Sequence, residues 1–282
     1  MTASLTLTET VKAYGLMAKK SLGQNFLLDQ NITDKIIRMS LIKQGLQDLS
    51  GKNILEIGPG PGGLTRAILA QKPAHLTVVE LDERCIDIMQ NLKDNTPTDM
   101  DIVRFDALKF DIASFAHKPV QIVSNLPYHI SVPLLIKWIH EIKDIEAMTL
   151  MFQTEVAERI TAAPQSKAYG RLSVLVQLVC QVDKLLHLNP ECFVPAPKVC
   201  STVLLFKPLQ DAVSQDVLRQ VEYITGLAFS ARRKMIRQSL KSIPDLEIMA
   251  GKIGIALTSR AEEIAPKQYM ALAAMMLEKN KS

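Results

Sequence analysis

The sequence predicts an α/β protein: a doubly wound, mostly parallel sheet of Rossmann-like type, followed by a small C-terminal helical domain. Three observations carry that reading. Short apolar runs of strand character alternate with helical patterns through residues 1–207. One of these runs opens directly onto a glycine-rich turn, Gly58-Pro59-Gly60-Pro61-Gly62-Gly63. After Lys207-Pro208 the strand signal stops and only helical periodicity remains.

Taken in order, residues 31–43 place Ile32, Ile36, Ile37 and Met39 at the spacing of an amphipathic helix. Asn53–Ile57 is a short buried strand that runs into the glycine turn. Residues 64–70 form the helix after it, and 75–79 the next strand, ending on Glu80. This is one βαβ unit of the usual roughly 30 residues. Strand-like runs recur at 102–104, 120–123 and 147–152, with helical patterns between them. Residues 173–182 are strongly apolar, and 199–206 read as a late strand. From Asp216 onward the patterns are helical, interrupted at Pro244 and Pro266. The domain boundary is therefore expected at Pro208, with 1–207 as the α/β domain and 208–282 as the helical one.

Composition narrows the functional classes. The chain has 282 residues, 48% apolar and 22% charged, which is ordinary for a globular protein. No apolar run approaches the roughly 18–20 residues needed to span a bilayer, so no membrane role is expected. The first ten residues are threonine-rich, contain Glu9 and lack arginine, unlike a signal or transit peptide. Cys85, Cys180, Cys192 and Cys200 lie far apart, with no Cys-x-x-Cys pair and no Cys/His cluster at metal-ligand spacing. Reduced thiols, a cytoplasmic location and no metal are the expectations. A formal charge of +4 and a pI near 8.8 suit a nucleic-acid partner without requiring one.

Gly58, Gly60 and Gly63 fit G-x-G-x-x-G, and Glu80 follows Gly60 by 20 residues. That pattern alone does not separate a nicotinamide cofactor from S-adenosylmethionine. Two neighbours do. Glu56 sets a carboxylate at the strand end, and Pro59 and Pro61 remove two backbone N–H donors from the loop. A pyrophosphate wants donors and no nearby negative charge, whereas the sulfonium and ammonium of S-adenosylmethionine are both positive. A methyltransferase is favoured over a dehydrogenase. Glu80 is then placed to accept both ribose hydroxyls. Asp106 can accept from the adenine amino group, although capping a helix would suit it equally.

The strand at 120–124 ends in Asn125-Leu126-Pro127-Tyr128, at the sheet edge where open α/β folds bind ligands. Methylation of adenine N6 faces a poor nucleophile, because the amine lone pair is delocalised into the ring. Acceptors aimed at its two hydrogens draw the nitrogen toward tetrahedral geometry. The Asn125 side-chain oxygen and the Leu126 C=O can supply them, Pro127 stiffens the turn, and Tyr128 offers a ring for a flipped adenine. Orientation and hydrogen bonding, with no strong general base, carry the rate in this reading. A single-stranded loop yields its base at least cost.

At these residues the chain resembles the ribosomal RNA adenine dimethyltransferase family of small-subunit maturation enzymes. The similar segments are Lys19-Lys20-Ser21-Leu22-Gly23-Gln24-Asn25-Phe26-Leu27, Glu56-Ile57-Gly58-Pro59-Gly60, Val79-Glu80-Leu81-Asp82 and Asn125-Leu126-Pro127-Tyr128. Lys167-Ala168-Tyr169-Gly170-Arg171-Leu172-Ser173 and Phe193-Val194-Pro195-Ala196-Pro197-Lys198-Val199 complete the set. The resemblance implies a class I S-adenosylmethionine methyltransferase fold and a cofactor pocket lined by Asn25, Leu27, Glu56, Gly58, Gly60, Glu80, Leu81, Asp106, Ala107 and Asn125. It implies that Phe193 stacks on the target adenine opposite Tyr128, an interaction worth roughly 1–3 kcal/mol. It further implies four methyl groups added to two adjacent adenosines in a hairpin loop near the 3′ end of 16S rRNA, within the 30S subunit or its precursor. Pro61 and Gly63 vary the glycine loop, and Gln238 stands where the family leads us to expect asparagine.

Residues 231–241 are basic, and as one helix they would align Arg233, Arg237 and Lys241 in a stripe beside Arg232 and Lys234. No acidic residue interrupts the run, which favours contact with phosphates over a merely solvated face. The expected protein is a monomer. Competing readings are a large-subunit rRNA adenine methyltransferase of the erythromycin-resistance type, a non-catalytic RNA-binding assembly factor, and a dehydrogenase.

Overall fold

Residue choice at element ends sets the frame. Thr6 opens α1 (Leu7–Ala13) with a capping box, its hydroxyl accepting from the Glu9 N–H while Glu9 accepts from the Thr6 N–H at 2.8 Å. After the two-residue strand β1 (Phe26–Leu27), Asp29 caps α2 (Gln30–Gln44), which Gly45 ends at φ 72°. The sequence expectation for this helix was one residue shorter at each end. The computed structural model describes residues 5–16, 24–211 and 213–279. Residues 19–23 of the N-terminal motif, with Lys19 and Lys20, lie outside them.

The βαβ unit follows as β2 (Asn53–Ile57), α3 (Gly63–Leu69) and β3 (His75–Glu80). Asp82 caps α4 (Glu83–Asp94), and β4 (Asp99–Arg104), β5 (Val120–Ser124), α5 (Tyr128–His140) and β6 (Ile145–Gln153) continue the alternation. Next come α6 (Thr154–Thr161), α7 (Arg171–Val179), β7 (Cys180–Leu188), β8 (Phe193–Val194) and β9 (Ser201–Pro208). The chain ends in α8 (Gln215–Ser230), α9 (Ile236–Ser239), α10 (Leu246–Ile253) and α11 (Pro266–Lys279). Pro266 opens α11 at a position where a missing N–H costs nothing.

Seven strands form one sheet in the order β4-β3-β2-β5-β6-β9-β7. The five from β4 to β6 are parallel, and β9 runs antiparallel to β6. All six residues of β3 and all five of β5 are buried, as a central parallel sheet covered on both faces requires, with the polar His75, Thr77, Glu80, Gln121 and Ser124 among them. The order reverses between β2 and β5, since the chain builds outward to β4 and then returns to the other side of β2. Their pairing runs from Asn53–Val120 to Leu55–Ile122 and goes no further. Beyond it the Ser124 hydroxyl donates to the Ile57 C=O at 2.5 Å, tying the diverging ends together. An open α/β sheet binds ligands at such a switch point.

The chain divides into two units. Met1–Thr154 with Asp183–Lys207 forms the α/β unit; Glu155–Val182 with Pro208–Ser282 forms the helical one. The expected boundary at Pro208 is one of three crossings, and 155–182 belong with the helices, contrary to expectation. The reason is α7, whose buried Val174, Leu175, Val176, Leu178 and Val179 pack with α8 and α11. In the same unit Tyr169 and Tyr269 are fully buried, their hydroxyls donating to the Ile264 and Ala261 carbonyls at 2.8 Å. Among the described residues no helix is long and apolar enough to cross a membrane.

Candidate active site

A cavity of about 280 Å³ lies where β2, β3, β4 and β5 deliver their carboxyl ends, with Gln24–Leu27 contributing one wall. Every residue expected in the cofactor pocket lines it: Asn25, Leu27, Glu56, Gly58, Gly60, Glu80, Leu81, Asp106, Ala107 and Asn125. Leu126, Pro127 and Tyr128 line it too.

The glycine loop reaches the cavity through backbone conformations that side chains resist. Gly58, Gly60 and Gly62 have φ of 65°, 55° and 85°. A Cβ on Gly63 would sit 2.8 Å from the Leu27 carbonyl oxygen, so the loop packs directly under β1. Three of the loop's donors are spent inside the protein. Gly58 N–H donates to Val79 C=O at 2.9 Å, Gly62 N–H to Pro59 C=O at 3.0 Å, and Gly60 N–H reaches the Glu80 carboxylate at 3.4 Å. With Pro59 and Pro61 contributing none, Gly58–Gly62 is a poor cradle for a pyrophosphate.

Glu80 is held as a fixed acceptor. One carboxylate oxygen accepts from the Leu81 N–H at 2.7 Å and the Asp82 N–H at 2.9 Å, and the other from Gly60. Burial raises its pKa, and the three backbone donors pull against that rise. Asp82 next to it is occupied otherwise: it caps α4 and pairs with Arg84 at 2.6 Å, which lowers its pKa.

Glu56 is the exception in this wall. It is 1% exposed, and its Oε2 has no hydrogen-bond partner. Burial, assisted by the charge of Glu80 and opposed by the Thr65 hydroxyl, pushes its carboxyl up to about 8. A cavity-lining carboxyl with one oxygen unpartnered suits a ligand that brings positive charge and hydrogen-bond donors better than it suits a phosphate. The sulfonium and ammonium of S-adenosylmethionine meet that condition.

Asp106 has one oxygen engaged locally, accepting from the Leu108 N–H at 3.0 Å in the turn after β4. The helix-cap reading of this residue becomes a turn cap, and its second oxygen remains for a ligand. Asn125 donates through Nδ2 to the Asn25 C=O at 3.2 Å, which commits the amide nitrogen to protein and leaves Oδ1 as the group on offer. Tyr128 begins α5 half-buried, with its hydroxyl 2.7 Å from Ser201 Oγ.

Two expectations are corrected. Phe193 does not line the cavity: it is 2% exposed, pairs with Leu27 across β1 and β8, and belongs to the apolar core of the α/β unit. The basic run is not one helix. Residues 231–235 form a turn, and α9 is four residues long. Met235 bridges to Arg260, and the Ile236 and Arg237 N–H groups donate to Ser259 and Leu257 carbonyls. Those tertiary bonds break the helical ladder, and with it the stripe. Arg233, Lys234, Arg237 and Lys241 are exposed; Arg232 instead pairs with Glu262 at 2.5 Å.

One further cluster escaped sequence reading because its members are distant in the chain. His75, Asp101 and His117 could hold a metal ion between them. His75 already engages Asp99 at 2.8 Å and Thr77 at 3.0 Å, and its ring stacks on His117 with centroids 3.7 Å apart. None of the three lines the cavity.

Known proteins share this architecture. A solved dimethyladenosine transferase from Plasmodium falciparum superposes with a TM-score of 0.73 at 23% identity, covering 89% of this chain and 97% of that one. The 23S rRNA methyltransferase ErmE superposes with a TM-score of 0.67 at 23% identity, covering 89% and 99%. In sequence, the ribosomal RNA small subunit methyltransferase A of Gluconobacter oxydans is 44% identical over 96% of this chain and 87% of its own length. The proteins of the same name from Rhodospirillum rubrum and Cereibacter sphaeroides are 40% and 43% identical over 95% of this chain and 91% and 95% of theirs. The sequence model of one family, described as ribosomal RNA adenine dimethylase, matches residues 15–278. An unpaired acid opposite a fixed acceptor, a donor-poor glycine loop and these matches lead to one conclusion: the chain belongs to the ribosomal RNA adenine dimethylase family.

Proposed function

We propose that this protein dimethylates N6 of two adjacent adenosines in a hairpin loop near the 3′ end of 16S rRNA, acting in the cytoplasm as a monomer, without a metal, on the 30S subunit or its precursor. The observation that carries the reading is that Asn125-Leu126-Pro127-Tyr128 and the Glu56–Glu80 wall line one cavity. The relatives named for the small subunit support the choice of RNA.

S-adenosylmethionine, bound there, supplies an electrophilic methyl group. Glu56 provides the countercharge, Glu80 accepts the ribose hydroxyls, and Asp106 accepts from the adenine amino group. Asn125 Oδ1 and the Leu126 C=O accept hydrogen bonds from the target amine, which frees its lone pair to take the methyl group, and the proton the methylated amine then carries is lost to water. Tyr128 stacks on the base, so that position and polarisation rather than proton abstraction lower the barrier. The buried Phe193 can join the stack only by leaving its core position. Arg233, Lys234, Arg237 and Lys241 form the exposed part of an RNA-binding surface, with Arg232 held back by Glu262.

The test is transfer of labelled methyl groups from S-adenosylmethionine to unmethylated small subunits, with the labelled nucleotides mapped. Two adjacent adenosines carrying two methyl groups each are expected. Label in large-subunit RNA would instead favour the erythromycin-resistance type. No label anywhere, with the cofactor still bound, would favour an assembly factor.

A further inference from the structure

Tyr128 lines the cavity, and its hydroxyl is hydrogen-bonded to Ser201 Oγ at 2.7 Å. Ser201 is 0% exposed and opens β9. Its backbone is fixed on both sides. It pairs with Gln153 across the sheet, the preceding Cys200 C=O accepts from the Thr154 N–H at 2.9 Å, and the following Thr202 hydroxyl meets the Thr154 hydroxyl at 3.1 Å. Tyr128 is thus tethered at two ends, by its own backbone at the start of α5 and by a hydroxyl anchored in the sheet.

We infer that Ser201 is a positioning residue for methyl transfer, fixing the direction of the Tyr128 ring axis and so the place of the ring on which the target adenine stacks. The inference rests on the stacking role proposed for Tyr128. A ring attached only at Cβ swings about its side-chain torsions, and a base stacked on it swings too. The hydrogen bond at the far end of the ring removes the swing about the first of those torsions, because it pins the ring's long axis at both ends. Productive geometry tolerates only about 10–20° of misalignment, so the anchor acts on the reacting complex more than on cofactor binding. Either hydroxyl can donate. Removing one leaves the other without its partner, at a site where Ser201 has no access to water.

The experiment compares single-turnover methylation of unmethylated small subunits by wild type, Ser201→Ala, Tyr128→Phe and the double variant, alongside S-adenosylmethionine affinity by calorimetry. Each single variant is expected to slow transfer about tenfold, the effect of one hydrogen bond, while cofactor affinity stays within about twofold. The double variant is expected to be no slower than the slower single one, because both changes break the same contact. A wild-type rate in either single variant would overturn the inference, as would losses that multiply to about a hundredfold in the double variant. Tyr128→Phe breaks the contact from the cavity side and leaves the buried position untouched, so it decides the matter even where Ser201→Ala folds poorly. An inactive wild type would sink the functional reading and this inference together; an active wild type with unchanged variants sinks this inference alone.

Discussion

Replacing Glu56 with glutamine isolates the electrostatics of the cavity. The carboxyl is pushed from the ordinary 4.5 to about 8, first by burial and then by Glu80, with Thr65 opposing. A folded pKa above the unfolded one means that the unfolded chain gives up this proton first. Rising pH therefore favours unfolding, beginning near pH 4.5 and levelling off above about 8, where the full penalty is on the order of 4–5 kcal/mol. Glutamine is neutral throughout. Burying its amide adds a constant offset, so the informative quantity is how the stability gap between the two proteins changes with pH. From pH 5 to pH 8.5 the gap should shift toward the variant by about 3–4 kcal/mol in ligand-free protein. Denaturant titrations across that range measure it, since every other titrating group is common to both chains. S-adenosylmethionine should draw the wild-type carboxyl back to its ionised form. Binding at pH 7 would then release close to one proton, readable by calorimetry in buffers of different ionisation heat, and none in the variant. A gap that stays flat with pH, or equal proton release from both proteins, would refute the assignment of a neutral buried acid awaiting a cation.

Three further outcomes are expected. Asn125→Ala should lower the methyl-transfer rate by about 100-fold or more, the scale of losing one preorganised polar group, with cofactor affinity changed far less; equal labelling would overturn the amine-acceptor role. Gly63→Ala forces a Cβ against the Leu27 carbonyl oxygen at 2.8 Å and should cost about 1–3 kcal/mol in a thermal melt while weakening cofactor binding. Reversing charge at the exposed Arg233 and Arg237 should weaken RNA binding and reduce its salt slope by about 2; an unchanged slope would make them a solvated surface.

The βαβ unit was readable in advance because its signals are local. Strand, glycine turn and acid at the next strand end lie within one stretch, and β2 and β3 formed with the expected limits. The later pieces depend on distant partners. The apolar run at 173–182 holds most of α7 and the start of β7, and hydrophobicity without a period does not mark the change. The basic run has helical composition, yet its N–H groups go to residues 257–259, some 20 positions away. Phe193 was given a stacking role by the family resemblance alone, and its burial through the two-residue pairing of β1 with β8 depends on a partner far away in the chain. Glu56 could be seen as an acid near a cofactor loop. That one of its oxygens lacks any partner required knowing what surrounds it.

The interleaving of the two units bears on how the chain can be made and cut. Each is assembled from two separate stretches of sequence, so the ribosome finishes neither before starting the other. The apolar face of α7 emerges during synthesis well before α8, and α11 arrives only near residue 279. Until then Val174, Val176 and their neighbours have no cover from their own unit. A fragment ending at Lys207 would keep that uncovered face permanently, and one beginning at Pro208 would lack the helix that completes its core. What looks like an appended tail in the linear sequence is a late-arriving half of a structure begun some fifty residues earlier, and a cut at Pro208 divides one core rather than separating two domains.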